Sequence, residues 1–170
     1  MPSIHVCSLE RIEKSVEQTG ARSLVTLINV NTRVDRPALI APERHLFIGM
    51  SDILTHQDGH ILPGEVHVNS LLEFVRAWDR ATPLLIHCYA GVSRSTAAAF
   101  ISTCALQTHR DEAEVAQLIR QRSPTATPNA KLVEIADRIL GRGGKMSAAI
   151  EAIGRGEDCY EGVPFQIEVG

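Results

Sequence analysis

The segment from Leu84 to Thr96, L-L-I-H-C-Y-A-G-V-S-R-S-T, restricts the possible folds more than any other part of the chain. Leu84 to Ile86 is a short apolar run after Pro83 and reads as a buried strand. Ser95 to Thr108 is rich in alanine and reads as a buried helix. Between them lies a tight turn, Tyr89 to Ser93, with one glycine. A helix that starts directly behind such a turn presents unsatisfied N–H groups and a partial positive charge to it. Gly91 frees the backbone to aim further N–H groups the same way, which makes a nest for an anion. A cysteine sulfur lying in that nest is favoured as thiolate. Arg94 adds a planar fork matched to two oxygens of a phosphate. Phosphoryl transfer asks mainly for positioning and charge stabilisation, and this layout supplies both.

A strand placed this way needs a sheet around it. Ser3–Cys7 is expected as an edge strand, Leu24–Val30 as a buried strand, Leu46–Met50 as a third and Leu84–Ile86 as the central one. Helices are expected over Leu9–Thr19, where Leu9, Ile12 and Val16 recur at helical spacing before Gly20, and over Glu65–Arg80, with Val68, Leu71, Leu72, Val75 and Trp78 on one face. Ser95–Thr108, Asp111–Gln121, Asn129–Leu140 and Met146–Ile153 complete the set, while 31–42 and 51–64 are loops. The alternation predicts an α/β fold: a central, mostly parallel sheet of four or five strands flanked by helices. The C-terminal half is expected to be all helix, and the pattern assigns no structure from Gly154 onward. No repeat or domain boundary interrupts the chain, so residues 1–170 are expected to form a single domain.

The net charge of −3 argues against broad attraction to nucleic acid or an anionic membrane, so any anion must be caught by a local cluster of donors. The four cysteines, Cys7, Cys88, Cys104 and Cys159, are widely spaced, which suits reduced thiols rather than a disulfide scaffold. Cys7, Cys104 and Cys159 lack a nest and read as structural. The first residues do not form a signal peptide, the longest apolar stretch is too short for a membrane span, and a cytoplasmic location is expected.

The string His87-Cys88, then Tyr89-Ala90-Gly91-Val92-Ser93, then Arg94-Ser95, resembles the H-C-x5-R-S signature of the protein-tyrosine phosphatase superfamily. Its inner A-G-V-S-R-S is similar to the small dual-specificity branch. The resemblance implies a phosphatase-like sandwich with its motif-bearing core over about 24–140, leaving 141–170 unassigned. It implies that Cys88 is the nucleophile of a phosphocysteine intermediate, that Arg94 binds phosphate and stabilises the transition state, and that Ser95 assists the sulfur as leaving group. His87 would shape the loop, and the N–H groups from Tyr89 through Ala90, Gly91, Val92 and Ser93 to Arg94 would cradle the phosphate. No metal or other cofactor is implied.

The leaving group needs a proton. L-F-I-G-M-S-D, Leu46 to Asp52, resembles the family's strand followed by a general-acid aspartate, and this favours Asp52 over Asp58 although the W-P-D string of larger members is missing. Asn129, in R-S-P-T-A-T-P-N-A, matches the place where small members carry a P-N pair. It is expected to contact the loop, to cap the following helix, or both. His56, His60 and His67 match no metal motif and read as a polar surface loop, and Arg33 and Arg36 as solvated charges. The expected substrate is a phosphorylated protein, with a phosphoinositide or another small phosphate ester as the alternative. A phosphate-binding module without turnover is the alternative of another class.

Overall fold

The computed structural model describes all 170 residues. Its strands are β1 (Ser3–Cys7), β2 (Ser23–Ile28), β3 (His45–Gly49), β4 (Leu84–His87) and β5 (Phe165–Glu168). Its helices are α1 (Ile12–Thr19), α2 (Glu65–Ala77), α3 (Arg94–Leu106), α4 (Glu112–Arg122), α5 (Ala130–Ile139) and α6 (Lys145–Ile153). The strands form one sheet in the order β3-β2-β4-β1-β5, parallel except for β5, which runs antiparallel to β1. β4 lies at the centre, with Cys7 on one side and Thr26 on the other both in register with His87. The carboxyl ends of β1, β2 and β4 therefore converge where Cys88 begins its loop, the side on which open α/β sheets bind ligands.

Side-chain alternation along the strands sorts residues between two cores. Ile4, Val6, Val25, Leu27, Leu84 and Ile86 face the larger core under α2 to α6. Cys7, Leu24 and Leu85 face a smaller one closed by Ile12 and Val16 of α1 together with Ile40. α3 is buried from Arg94 through Cys104 and packs on β1, β2 and β4. Its alanines let it approach the sheet closely, while Phe100 and Ile101 fill the space beside them. Burying each of these two large side chains contributes about 1.5–3 kcal/mol. Asp137 on α5 binds the start of α6: Oδ1 accepts from Gly144 N at 2.7 Å and Oδ2 from Met146 N at 2.6 Å.

Three expectations require correction. The C-terminal half is not all helix, because β5 adds a strand at the far end of the chain. Phe165, Ile167 and Val169 alternate with exposed Gln166 and Glu168, and this half-buried pattern is what pairs with β1. For the same reason β1 is an inner strand, not an edge, since β5 covers the side away from β4. Trp78 lies just beyond α2, not within it, and its indole N–H donates to Thr82 O at 3.0 Å. No helix is long and apolar enough to cross a membrane.

Candidate active site

Cys88 is the first residue after β4, and the loop it opens closes at Arg94, the first residue of α3. Five of the six peptide carbonyls from Cys88 to Ser93 are bonded to groups outside the loop's centre. Cys88 O accepts from His87 Nδ1 at 2.9 Å, Tyr89 O from Leu9 N at 3.0 Å, and Ala90 O from Gly162 N at 2.8 Å. Val92 O accepts from Thr127 N at 2.9 Å, and Ser93 O from Asn129 N at 3.1 Å. A peptide whose carbonyl points outward turns its N–H the opposite way, and the N–H groups from Tyr89 to Arg94 donate to no other protein group. These are the donors an anion would meet, together with the N-terminus of α3.

Gly91 sits at φ +73°, in the left-handed region, and a Cβ there would lie 2.9 Å from Cys7 C and 3.0 Å from Ser8 N. Both the turn and the close approach to β1 therefore require glycine. A Cβ on Gly162 would lie 2.4 Å from Gly91 O. The segment between α6 and β5 thus presses directly on the outer face of the loop.

Cys88 Sγ is buried and lies 3.0 Å from Ser95 Oγ. Arg94 is buried too, with Nη1 donating to Asn29 Oδ1 at 2.7 Å and to Met50 O at 2.8 Å. Its Nε has no partner. His87 is fully buried, and its two ring nitrogens have distinct partners. A carbonyl only accepts, so Nδ1 carries the proton given to Cys88 O, and Nε2 accepts from Thr26 Oγ1 at 2.7 Å. Thr26 Oγ1, having donated, accepts from His45 Nε2 at 2.7 Å. Burial pushes the His87 pKa down to about 4, so the ring is neutral at physiological pH.

Asp52 lies over the same loop. Its Oδ1 accepts from Ser93 Oγ at 2.7 Å and from Asn129 Nδ2 at 2.9 Å, which leaves Oδ2 uncommitted. Asn129 does both things considered for it: its Oδ1 caps α5 by accepting from Leu132 N at 3.0 Å, and its amide and backbone N–H reach Asp52 and Ser93. Asp58 is exposed and bonds to His56, away from the loop. His67 accepts from Gly64 N at the start of α2, and no group of three or more His, Cys, Asp or Glu side chains gathers as a metal site. Arg33 pairs with Asp35 in solvent, while Arg36 donates to Ile40 O.

Burial pushes Cys7 up to about 11 and Cys104 to about 12, which keeps both as inert thiols. Cys159, expected to be structural, is exposed. Thr26, His45, Asn29 and Gly162 were not found from the sequence. Asn29 and Gly162 touch the loop directly and Thr26 and His45 act through His87, all across long sequence distances that leave no local motif.

A strand-end thiol among unbonded N–H groups, with an anchored guanidinium beside it, is an arrangement suited to holding a phosphate over a cysteine nucleophile. The protein-tyrosine phosphatase family model matches residues 57–127, a segment that contains the cysteine loop but neither Asp52 nor Asn129. No curated protein matches the chain. Human DUSP28 is similar in structure at 17% identity and a TM-score of 0.63, over 89% of this chain and 96% of its own. A mouse putative dual specificity phosphatase, complexed with zinc tungstate, gives 15% identity and a TM-score of 0.60, over 84% of each chain. PTPMT1 in complex with PI(5)P gives 13% identity and a TM-score of 0.58, over 88% of this chain and 92% of its own. The chain has the fold of the small dual-specificity phosphatases, and its segment 57–127 matches the protein-tyrosine phosphatase family.

Proposed function

We propose that the protein hydrolyses phosphate monoesters on phosphorylated proteins through a phosphocysteine intermediate, with residues 1–170 acting as one catalytic domain. The observation that carries this reading is the juxtaposition of Cys88 Sγ and Ser95 Oγ at 3.0 Å on the floor of a loop whose N–H groups are unbonded.

Cys88, as thiolate, attacks phosphorus in line with the departing oxygen. An S–P bond forms as the P–O bond to the leaving group breaks, and Asp52 gives its proton to that oxygen. Arg94 and the inward N–H groups stabilise the three equatorial oxygens. In the second step Asp52, now a carboxylate, takes a proton from water. The water oxygen bonds to phosphorus, the S–P bond breaks, and the Ser95 hydroxyl donates to the departing sulfur. His87 holds the Cys88 carbonyl outward and so positions the loop without touching substrate. Asn129 and Ser93 hold Asp52 over the phosphate.

The loop side chains from Tyr89 to Ser93 carry no charge, so Arg94 is the one cation built into the cradle. This supports a substrate with a single phosphate at the cradle and favours a phosphorylated side chain over a headgroup with several phosphates. All four thiols are free, which supports a reducing compartment such as the cytoplasm.

The test is hydrolysis of p-nitrophenyl phosphate by the wild type and by Cys88→Ser, with chelator present. Wild-type turnover that disappears in the variant, while vanadate still binds the wild type, is the expected result. No turnover by a folded wild type that still binds vanadate would replace this reading with that of a phosphate-binding module.

A further inference from the structure

The chain has only two tyrosines, and both line one groove beside the phosphate loop. The groove has a volume of about 380 Å³. Its floor is Tyr89 and Ala90 of the loop, one wall is the Ser8–Glu10 turn after β1, and the other is Tyr160 and Glu161. Tyr160 is fully exposed and Tyr89 is 65% exposed. Such aromatic surface, left in water next to a reaction centre, is a surface for binding.

The walls are built rather than incidental. Leu9 N binds Tyr89 O and Gly162 N binds Ala90 O, so the groove and the cradle share one backbone. Glu161 accepts from Ser8 Oγ at 2.7 Å and pairs with Arg11, which ties the two walls together. The charge is one-sided. Residues 8–11 and 155–161 carry four carboxylates and two guanidiniums. Both guanidiniums are already paired, Arg11 with Glu161 and Arg155 with Asp158. Glu10 and Glu157 make no ion pair and no side-chain hydrogen bond.

We propose that this groove is a subsite for a lysine or arginine flanking the phosphorylated residue of an extended peptide. The aliphatic stem of that residue lies on Leu9 and Ala90, and its cation sits against the rings of Tyr89 and Tyr160 with Glu10 as counter-charge. A second phosphate, by contrast, meets carboxylates there. The inference rests on the phosphoprotein reading above and narrows it to basic-flanked sites.

The experiment measures kcat/KM on three short phosphotyrosine peptides that differ only in flanking residues, lysine, alanine or glutamate, with p-nitrophenyl phosphate and phosphatidylinositol monophosphate vesicles alongside. The wild type is expected to favour the lysine peptide over the glutamate peptide roughly tenfold, mainly through KM, as expected when a cation–π contact and an exposed ion pair act together. Tyr160→Ala should bring that ratio down several-fold, and Glu10→Lys should bring it to one or invert it. Each ratio is taken within one variant, so any shared loss of folding or turnover cancels. Equal rates on all peptides, or a ratio unmoved in both variants, overturns the groove while leaving the phosphatase reading intact. Cleavage of p-nitrophenyl phosphate or lipid without cleavage of any peptide overturns the phosphoprotein reading and the groove with it.

Discussion

Arg94 is fixed by a single nitrogen. Two acceptors hold Nη1, and the buried Nε is left without one. An unpaired buried donor costs about 1–3 kcal/mol, a cost that an incoming phosphate oxygen relieves. Asp52 is poised in the same way, with one oxygen bonded and the other open. Asp52→Asn is therefore expected to slow aryl phosphate hydrolysis by roughly 10²–10⁴-fold, the range for a lost general acid. Asp58→Asn, in solvent beside His56, is expected to change it less than about twofold, and steady-state kinetics on the pair would expose a reversed assignment. His87 carries a stability prediction. Its pKa is lowered by burial to about 4 from an ordinary 6.5, so between these values the unfolded chain holds a proton that the fold excludes. Stability is then full above about pH 6.5 and falls as the pH drops toward 4, by about 3 kcal/mol from this one ring. Burial lowers His5, His45 and His67 in the same direction. Urea titrations from pH 7.5 to 4.5 should show the decline, and His87→Asn should make it shallower. Cys88, Arg94 and Ser95 were legible in the sequence because one contiguous string holds them. The hydrogen-bond chain from His45 through Thr26 to His87 was not, because it runs across three strands.

Among elements, β4 and α3 were readable from their apolar run and alanine-rich stretch, and their limits shift by only a residue or two in the structure. The segment from Gly154 to Pro164 was unreadable because it works through its backbone. Gly156 N binds Thr127 Oγ1, Glu157 N binds Pro124 O, Gly162 N binds Ala90 O, and Val163 O accepts from Ser123 Oγ. Arg120 fastens its start by donating to Ile153 O and Gly154 O. None of these bonds demands a particular side chain in the segment itself. Gly154, at φ +64°, Gly156, whose Cβ would lie 2.6 Å from Thr125 O, and Gly162 are constrained in type, and scattered glycines read as ordinary turns. Gly162→Ala would push a methyl group into the Gly91 carbonyl. Overpacking of this kind costs about 1–3 kcal/mol, and here the backbone that yields is the phosphate cradle. The expected outcome is a tenfold or greater loss in kcat with weaker vanadate binding, while the fold persists by circular dichroism. Unchanged vanadate affinity would mean that the loop keeps its shape without this support.

At the scale of the whole molecule, β5 completes both the sheet and the larger core. A chain stopped after Gly154 would expose the outer edge of β1 and remove Phe165, Ile167 and Val169 from beneath α4. Each buried side chain of this size contributes about 1.5–3 kcal/mol, against a net stability of about 5–15 kcal/mol for a typical domain. The truncated chain is expected to self-associate through the bare edge and to lose turnover, and light scattering with p-nitrophenyl phosphate assays would check both. A monodisperse, active 1–154 fragment would refute this. The overall α/β design was foreseeable from the alternation of patterns up to residue 140, where helices and strands are long enough to show a period. The closing strand was not, since four residues of alternation are too few to stand out from a tail. Because the chain is synthesised from its N-terminus, the cysteine loop leaves the ribosome long before Gly162 and β5 do. A nascent polypeptide therefore carries Cys88 through the second half of its synthesis without the brace on the cysteine loop, which forms only as the last strand docks.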